Sequence, residues 1–153
     1  MAVLNERNAF RQAILGERVD RATATLPQTT AAAIFNIVGG RVMVTQIVGE
    51  VTTVIETQAN DTKLTGNPTT GTDVDICAAL DITADEVGCL YGITGLNTDA
   101  MIGVNGGALP AQTRGVVLNA GTLDLACAAS NTGSVKWSLF YVPLDDGAYV
   151  TAA

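Results

Sequence analysis

The amino-acid sequence predicts a mainly β protein, a jelly-roll-like β-sandwich of about eight strands that follows a short helical or extended N-terminal arm. From Thr29 onward, short runs rich in valine, isoleucine and threonine are separated by turn residues such as Gly39-Gly40, a pattern typical of antiparallel strands. Most of the helix-forming pattern lies in the first 28 residues. The chain has 153 residues, the length of one ordinary domain. We therefore predict an arm over residues 1–28 and one sandwich domain over residues 29–153.

The first predicted element is a helix over Leu4–Arg21. Its apolar residues lie roughly on one side, and its arginines lie elsewhere. Gly16 interrupts the pattern, and Pro27 breaks it. Because an isolated helix of this length is marginal in water, its apolar side is expected to pack on the protein's own sheet or on a neighbouring subunit.

The strands follow in chain order, each as a short run of β-branched and apolar residues bounded by turn signals. The predicted strands are Thr30–Val38, Arg41–Val48, Glu50–Thr57, Val74–Ile82, Glu86–Ile93, Met101–Val104, Gly115–Asn119, Thr122–Ala128 and Ser134–Val142. In the fourth of them, Cys77 shares a face with aspartates, which predicts one solvated side.

The last predicted strand, Ser134–Val142, becomes apolar on both faces towards its end. This pattern predicts a central strand or one that a partner covers, and it makes Phe140 and Val142 candidate interface residues. The loop Asn131-Thr132-Gly133 predicts that this strand forms a hairpin with Thr122–Ala128.

Charge is low and unevenly distributed, with a net charge of −7 and only 15% charged residues. Residues 1–28 contain four arginines and three acidic residues, whereas residues 29–153 contain four basic and twelve acidic residues. An acidic body repels phosphate backbones, so nucleic-acid binding is not expected. No apolar run approaches the roughly 18 residues of a membrane span, and the first residues lack the pattern of a secretion signal, so no membrane partner is expected.

Few residues are suited to catalysis or to holding a metal. The chain has no histidine, which removes the commonest general base and the commonest zinc ligand. Carboxylates at Asp81, Asp85 and Glu86 are close in sequence and could serve a hydrolase or Ca²⁺, but their spacing is more typical of a solvated face. We therefore expect no catalytic residue, metal or cofactor, and no enzymatic activity.

The three cysteines show no metal-ligand spacing. Cys89 and Cys127 alternate in phase with apolar neighbours, which predicts that both thiols are in the core. Cys77 is expected to be the most accessible of the three, because it alternates with aspartates.

The C-terminal part of the chain resembles the small head-decoration, or cement, proteins of tailed bacteriophages. The resemblance is strongest over GTLDLACAA (Gly121–Ala129) and the following SNTGSVKWSLFYVPLDDGAYVTAA, and it includes IVGGRVMVTQIVGEVTT (Ile37–Thr53) and the lysine-poor, histidine-free composition. It covers residues 30–153. It implies a jelly-roll sandwich that forms a homo-oligomer, a dimer or trimer, and binds the major capsid protein outside the shell, across subunit boundaries. The implied location is the capsid surface of a virion assembled in the host cytoplasm.

The leading hypothesis is therefore a structural subunit that stabilises a shell, with residues 1–28 as the arm that docks on a neighbour. The residues expected to make arm contacts are Leu4, Arg7, Phe10, Arg11, Ile14, Leu15 and Arg18. The alternative is a β module of a phage tail or fibre that binds a host receptor or glycan, which predicts an exposed aromatic cluster.

Overall fold

The computed structural model describes the backbone of residues 3–153 and the side chains of residues 7–153. Within this range the chain forms one helix and twelve strands. They are α1 (Val3–Leu15), β1 (Glu17–Thr25), β2 (Ala31–Val38), β3 (Val42–Thr53), β4 (Asp61–Pro68), β5 (Val74–Asp75), β6 (Leu80–Asp81), β7 (Leu90–Gly92), β8 (Ile102–Val104), β9 (Val116–Leu118), β10 (Gly121–Cys127), β11 (Ser134–Pro143) and β12 (Tyr149–Ala152).

The strands form two six-stranded antiparallel sheets. In the first sheet the order is β1-β11-β3-β7-β8, and β9 pairs with β3. In the second sheet the order is β12-β2-β10-β4-β5, and β6 pairs with β4. The predicted mainly β class with two sheets is confirmed. The finer assignment to a jelly roll stays a prediction.

Alternation along β11 explains how the first sheet contributes to the core. Val135, Trp137, Leu139 and Tyr141 are buried, while the residues between them face outward. The ring of Trp137 packs against that of Tyr91, with centroids 6.3 Å apart. Because β11 lies between β1 and β3, its prediction as a central strand is confirmed.

The predicted helix over Leu4–Arg21 is too long. The helix ends at Leu15, because Gly16 adopts a left-handed backbone conformation (φ 86°) of the kind that terminates helices. The remainder of that prediction belongs to β1, which pairs with β11 along an edge of the first sheet. Arg18 is therefore a strand residue, and the part of the described chain that lies outside the sandwich is α1.

The predicted hairpin between Thr122–Ala128 and Ser134–Val142 is wrong. β10 pairs with β2 and β4, whereas β11 pairs with β1 and β3 in the other sheet. The loop between them crosses from one sheet to the other, and the buried Asn131 side chain donates a hydrogen bond to the carbonyl of Gln58 (2.7 Å). Turn residues predict a reversal of the chain, but they do not determine whether the two strands share a sheet.

Several strand boundaries also differ from the prediction. The two predicted strands Arg41–Val48 and Glu50–Thr57 are largely one strand, β3, because Gly49 sits within the ladder opposite Trp137. The predicted strand Val74–Ile82 is reduced to the short strands β5 and β6. β4 and β12 were not predicted, and β4 begins and ends at residues that read as turns.

The prediction for Cys77 is wrong, whereas those for Cys89 and Cys127 are confirmed. All three thiols are buried, and Cys77 is fully so. Cys77 lies in the bend between β5 and β6, where the predicted alternation no longer holds, and its sulfur accepts a hydrogen bond from the backbone N–H of Leu64 (3.3 Å). Burial raises the pKa of the Cys77 and Cys127 thiols, and it raises that of Cys89 to about 11.

We expect all three cysteines of the native protein to react slowly with a thiol reagent, because the reactive thiolate is both buried and disfavoured. The measurement is the labelling rate of each cysteine by mass spectrometry, with the protein in denaturant as the control for full reactivity. Rapid labelling of Cys77 in the native protein would contradict the structure.

Candidate functional site

The helix α1 is the part of the molecule that packs least on the sandwich. Its described side chains from Arg7 to Ile14 are exposed, and only Leu15 is half-buried. Phe10 is 68% exposed and Ile14 is 74% exposed. These two residues are four positions apart and therefore neighbours on one helix face. Two large apolar side chains are therefore exposed side by side, which is unfavourable for a free protein in water.

The junction between α1 and β1 holds the helix in a defined direction. The hydroxyl of Thr45 donates a hydrogen bond to the carbonyl of Leu15, and the N–H of Gly16 donates to the carbonyl of Gln12 (2.9 Å). A Cβ added at Gly16 would lie 2.0 Å from the carbonyl oxygen of Tyr141. Only glycine fits such a close approach at positive φ, so this contact fixes where the helix leaves the sheet.

The first residues of β1 form a polar network on the outer face of the first sheet. The guanidinium of Arg18 lies 5.7 Å from the centroid of the Phe140 ring, within the range of a cation–π contact. Arg18 also pairs with Asp20 (2.8 Å), and the hydroxyl of Ser138 donates to the same Asp20 oxygen (2.6 Å). The Ser138 hydrogen bond is the main cause that lowers the pKa of Asp20. Arg18 and Phe140, predicted as separate contact residues, are thus brought together.

A row of apolar side chains runs beside this network. The strand register places Val142 of β11 beside Met43 of β3, and Met43 beside Val117 of β9. Val142 also lies under the junction, since a Cβ on Gly16 would be 3.0 Å from its Cγ2 atom. Met43 and Val117 were not among the predicted contact residues. Their position became visible only with the pairing of β3 and β9, which are distant in sequence.

The carboxylates of Asp81 and Asp85, which the sequence singled out, stabilise loops through hydrogen bonds. One oxygen of Asp81 accepts hydrogen bonds from the backbone N–H of Asn60 (2.9 Å) and from the hydroxyl of Thr83 (2.6 Å). Asp85 accepts one from the buried hydroxyl of Tyr91 (2.6 Å), and burial together with this carboxylate raises the pKa of Tyr91. Among the described residues, no three acidic or cysteine side chains are grouped as a metal site would require. The described helix is not long and apolar enough to cross a membrane.

The aromatic side chains are mostly in the core. Phe35, Tyr91, Trp137 and Tyr141 are buried and Phe140 is half-buried, so the exposed aromatics are Phe10 and Tyr149, which lie on α1 and β12.

Comparison of the chain with protein-family models, with curated proteins and with solved structures finds no significant match.

Proposed function

We propose that the protein is a capsid decoration protein, a structural subunit that binds the outside of a phage head across subunit boundaries and stabilises it. The observation that carries the proposal is the exposed apolar pair Phe10 and Ile14 on α1, which the junction at Gly16 projects from the sandwich. The resemblance of residues 30–153 to cement proteins supports the same function. In this proposal α1 is the arm by which each subunit holds its neighbour.

The mechanism follows from mass action. A subunit that binds the assembled shell but not its separated components shifts the equilibrium towards assembly. The effect is multiplied because many copies bind one shell, and contacts between neighbouring copies add avidity. The arm contributes through burial of Phe10 and Ile14, and interface anchors of this kind carry about 1–4 kcal/mol each when truncated to alanine.

The exposed polar surface suits this function. The ion pairs Lys136–Glu50 (3.0 Å), Arg41–Asp145 (2.7 Å) and Lys63–Asp75 (2.6 Å) are at the surface, where such pairs contribute little to stability. They pair three of the four basic residues of the sandwich range, 29–153, with three of its twelve acidic residues. Only 15% of the residues of the chain are charged, and depletion of charged residues is a feature of the centre of protein–protein interfaces.

The proposal predicts that particles stripped of this protein release their genome at a lower temperature or under milder osmotic shock than coated particles. Adding back the purified protein should restore the original release curve. The measurement is dye-detected genome release during heating, with a matched addition of an unrelated acidic protein as the control.

Equal release curves for stripped and coated particles would refute the cement function. If electron micrographs then placed the protein on the tail, and a glycan array showed binding, the receptor- or glycan-binding alternative would replace it.

A further inference from the structure

We infer that α1 of one subunit docks in a groove between β5 and β9 of a second copy of this chain. The inference rests on the proposed function of α1 as an arm, and it names the partner that the arm holds. The contact joins two different surfaces of the same protein, the helix face around Phe10 and the groove around Val117.

The groove lies on the side of the sandwich away from β1 and β12. Two adjoining cavities of about 200 and 220 Å³ open there, and both are lined by Val74, Val117 and Leu118. Val74 is 53% exposed and Val117 is 55% exposed, so neither is covered by the protein's own chain. The two valines come from different sheets, and they form an apolar floor in a groove whose walls also carry polar side chains such as Asn67 and Asn119. An exposed apolar patch of this kind can mark an interaction site.

The sizes of the two partners match. A volume of about 150 Å³ holds a benzene ring, so each of these two open clefts, at about 200 and 220 Å³, has room for one large side chain. Phe10 and Ile14 stand one helical turn apart on the same face of α1, which is the spacing of a helix laid into an apolar groove. Two adjoining cavities would therefore receive two consecutive anchors.

No described residue of α1 lines the groove of its own subunit. Gly16 is held against the carbonyl of Tyr141, and Thr45 holds the carbonyl of Leu15. In this arrangement both Phe10 and Ile14 remain exposed. A second copy can supply the groove while every contact of the junction stays intact.

Charge favours the same pairing. Asp73 and Asp75 are the sequence neighbours of Val74, and Asp75 lines the groove. Arg7 and Arg11 are three residues and one residue from Phe10 on α1. Asp75 is already paired with a lysine of its own subunit, which leaves exposed Asp73, next to Val74, as the acidic partner. Opposite charges at the rim of an apolar contact favour the correct orientation and the rate of association.

A contact between two different surfaces has a geometric consequence. Each subunit offers one arm and one groove, so the contact is head-to-tail and forms a ring if the rotation closes. Blocking either surface on all subunits should therefore dissolve the oligomer, whereas blocking the arm on one subunit and the groove on another should leave one intact contact between them.

The test measures the mass of the full chain in solution, without shells, by sedimentation equilibrium. We expect an oligomer for the native protein, and at least a tenfold weaker association for Phe10→Asp and for Val117→Asp, because each places a charge in an apolar contact. An equimolar mixture of the two variants should form a one-to-one dimer. Val87→Asp is the matched control, since Val87 is 64% exposed but lies outside the groove, and it should behave as the native protein.

Three results would overturn the inference. They are a native protein that stays monomeric, a mixture of the two variants that stays monomeric, and a Phe10→Asp variant that keeps the native mass. Val74→Asp serves in place of Val117→Asp if circular dichroism shows that the latter is unfolded. None of these results bears on the release curve of particles coated with the native protein, so a failure of the inference is distinguishable from a failure of the cement function.

Discussion

Replacing Trp137 with alanine is expected to lower the free energy of unfolding by about 3–5 kcal/mol, the usual cost of removing a large buried aromatic side chain. Trp137 is the only tryptophan and is buried between the sheets, where it contacts Tyr91 and lies opposite Gly49. The measurement is denaturant unfolding followed by far-ultraviolet circular dichroism. Phe140→Ala is the matched control, because Phe140 lies on the same strand but on the outer, half-exposed face, and it should cost much less.

A second substitution checks that the ring of Trp137 fills this position. A Cβ added at Gly49 would lie 2.7 Å from the Trp137 ring, so Gly49→Ala should cost about 1–3 kcal/mol through overpacking. In a Trp137→Leu background the same alanine should cost less, because the smaller side chain leaves room. Additive effects of the two substitutions would contradict the contact, since residues that touch are expected to be coupled.

Two truncations are expected to differ strongly in stability. Deleting residues 1–15 removes α1, whose described side chains are largely exposed, and should change the free energy of unfolding by less than about 1 kcal/mol. Deleting residues 1–26 also removes β1 and the buried Leu26. Loss of a buried leucine alone costs about 2–5 kcal/mol, and the deletion would leave β11 as an unprotected edge strand.

The measurement is thermal unfolding of both truncated proteins beside the full chain, with light scattering to detect aggregation through the new edge. If the shorter deletion were as damaging as the longer one, the helix would belong to the core. If the longer deletion were harmless, β1 would be dispensable to the sandwich. The shorter deletion should nevertheless weaken assembly, because it removes Phe10 and Ile14.

The prediction for the arm shows where the local sequence pattern and the tertiary structure disagree. Residues Glu17–Thr25 contain four charged residues in the first five positions, followed by alternating alanine and threonine, so they carry no strong apolar signal for either a helix or a strand. Their strand conformation depends on β11, which lies more than a hundred residues later in the chain and pairs with them along one of its edges. Pairing over such a distance in sequence has no local signature, because the hydrogen bonds of a strand are made with another segment.

The sequence by itself determined the mainly β class, the central place of β11 in its sheet and the core positions of Cys89 and Cys127. These features depend on the period-two alternation of apolar residues, which is local and survives in any sheet. Only the tertiary structure decided that β10 and β11 lie in different sheets, that Cys77 is buried, and that Val74 and Val117 meet beside a groove. Each of these features depends on which distant strand is the neighbour. Alternation predicts which face of a strand is buried, but it does not predict which other strand packs on that face.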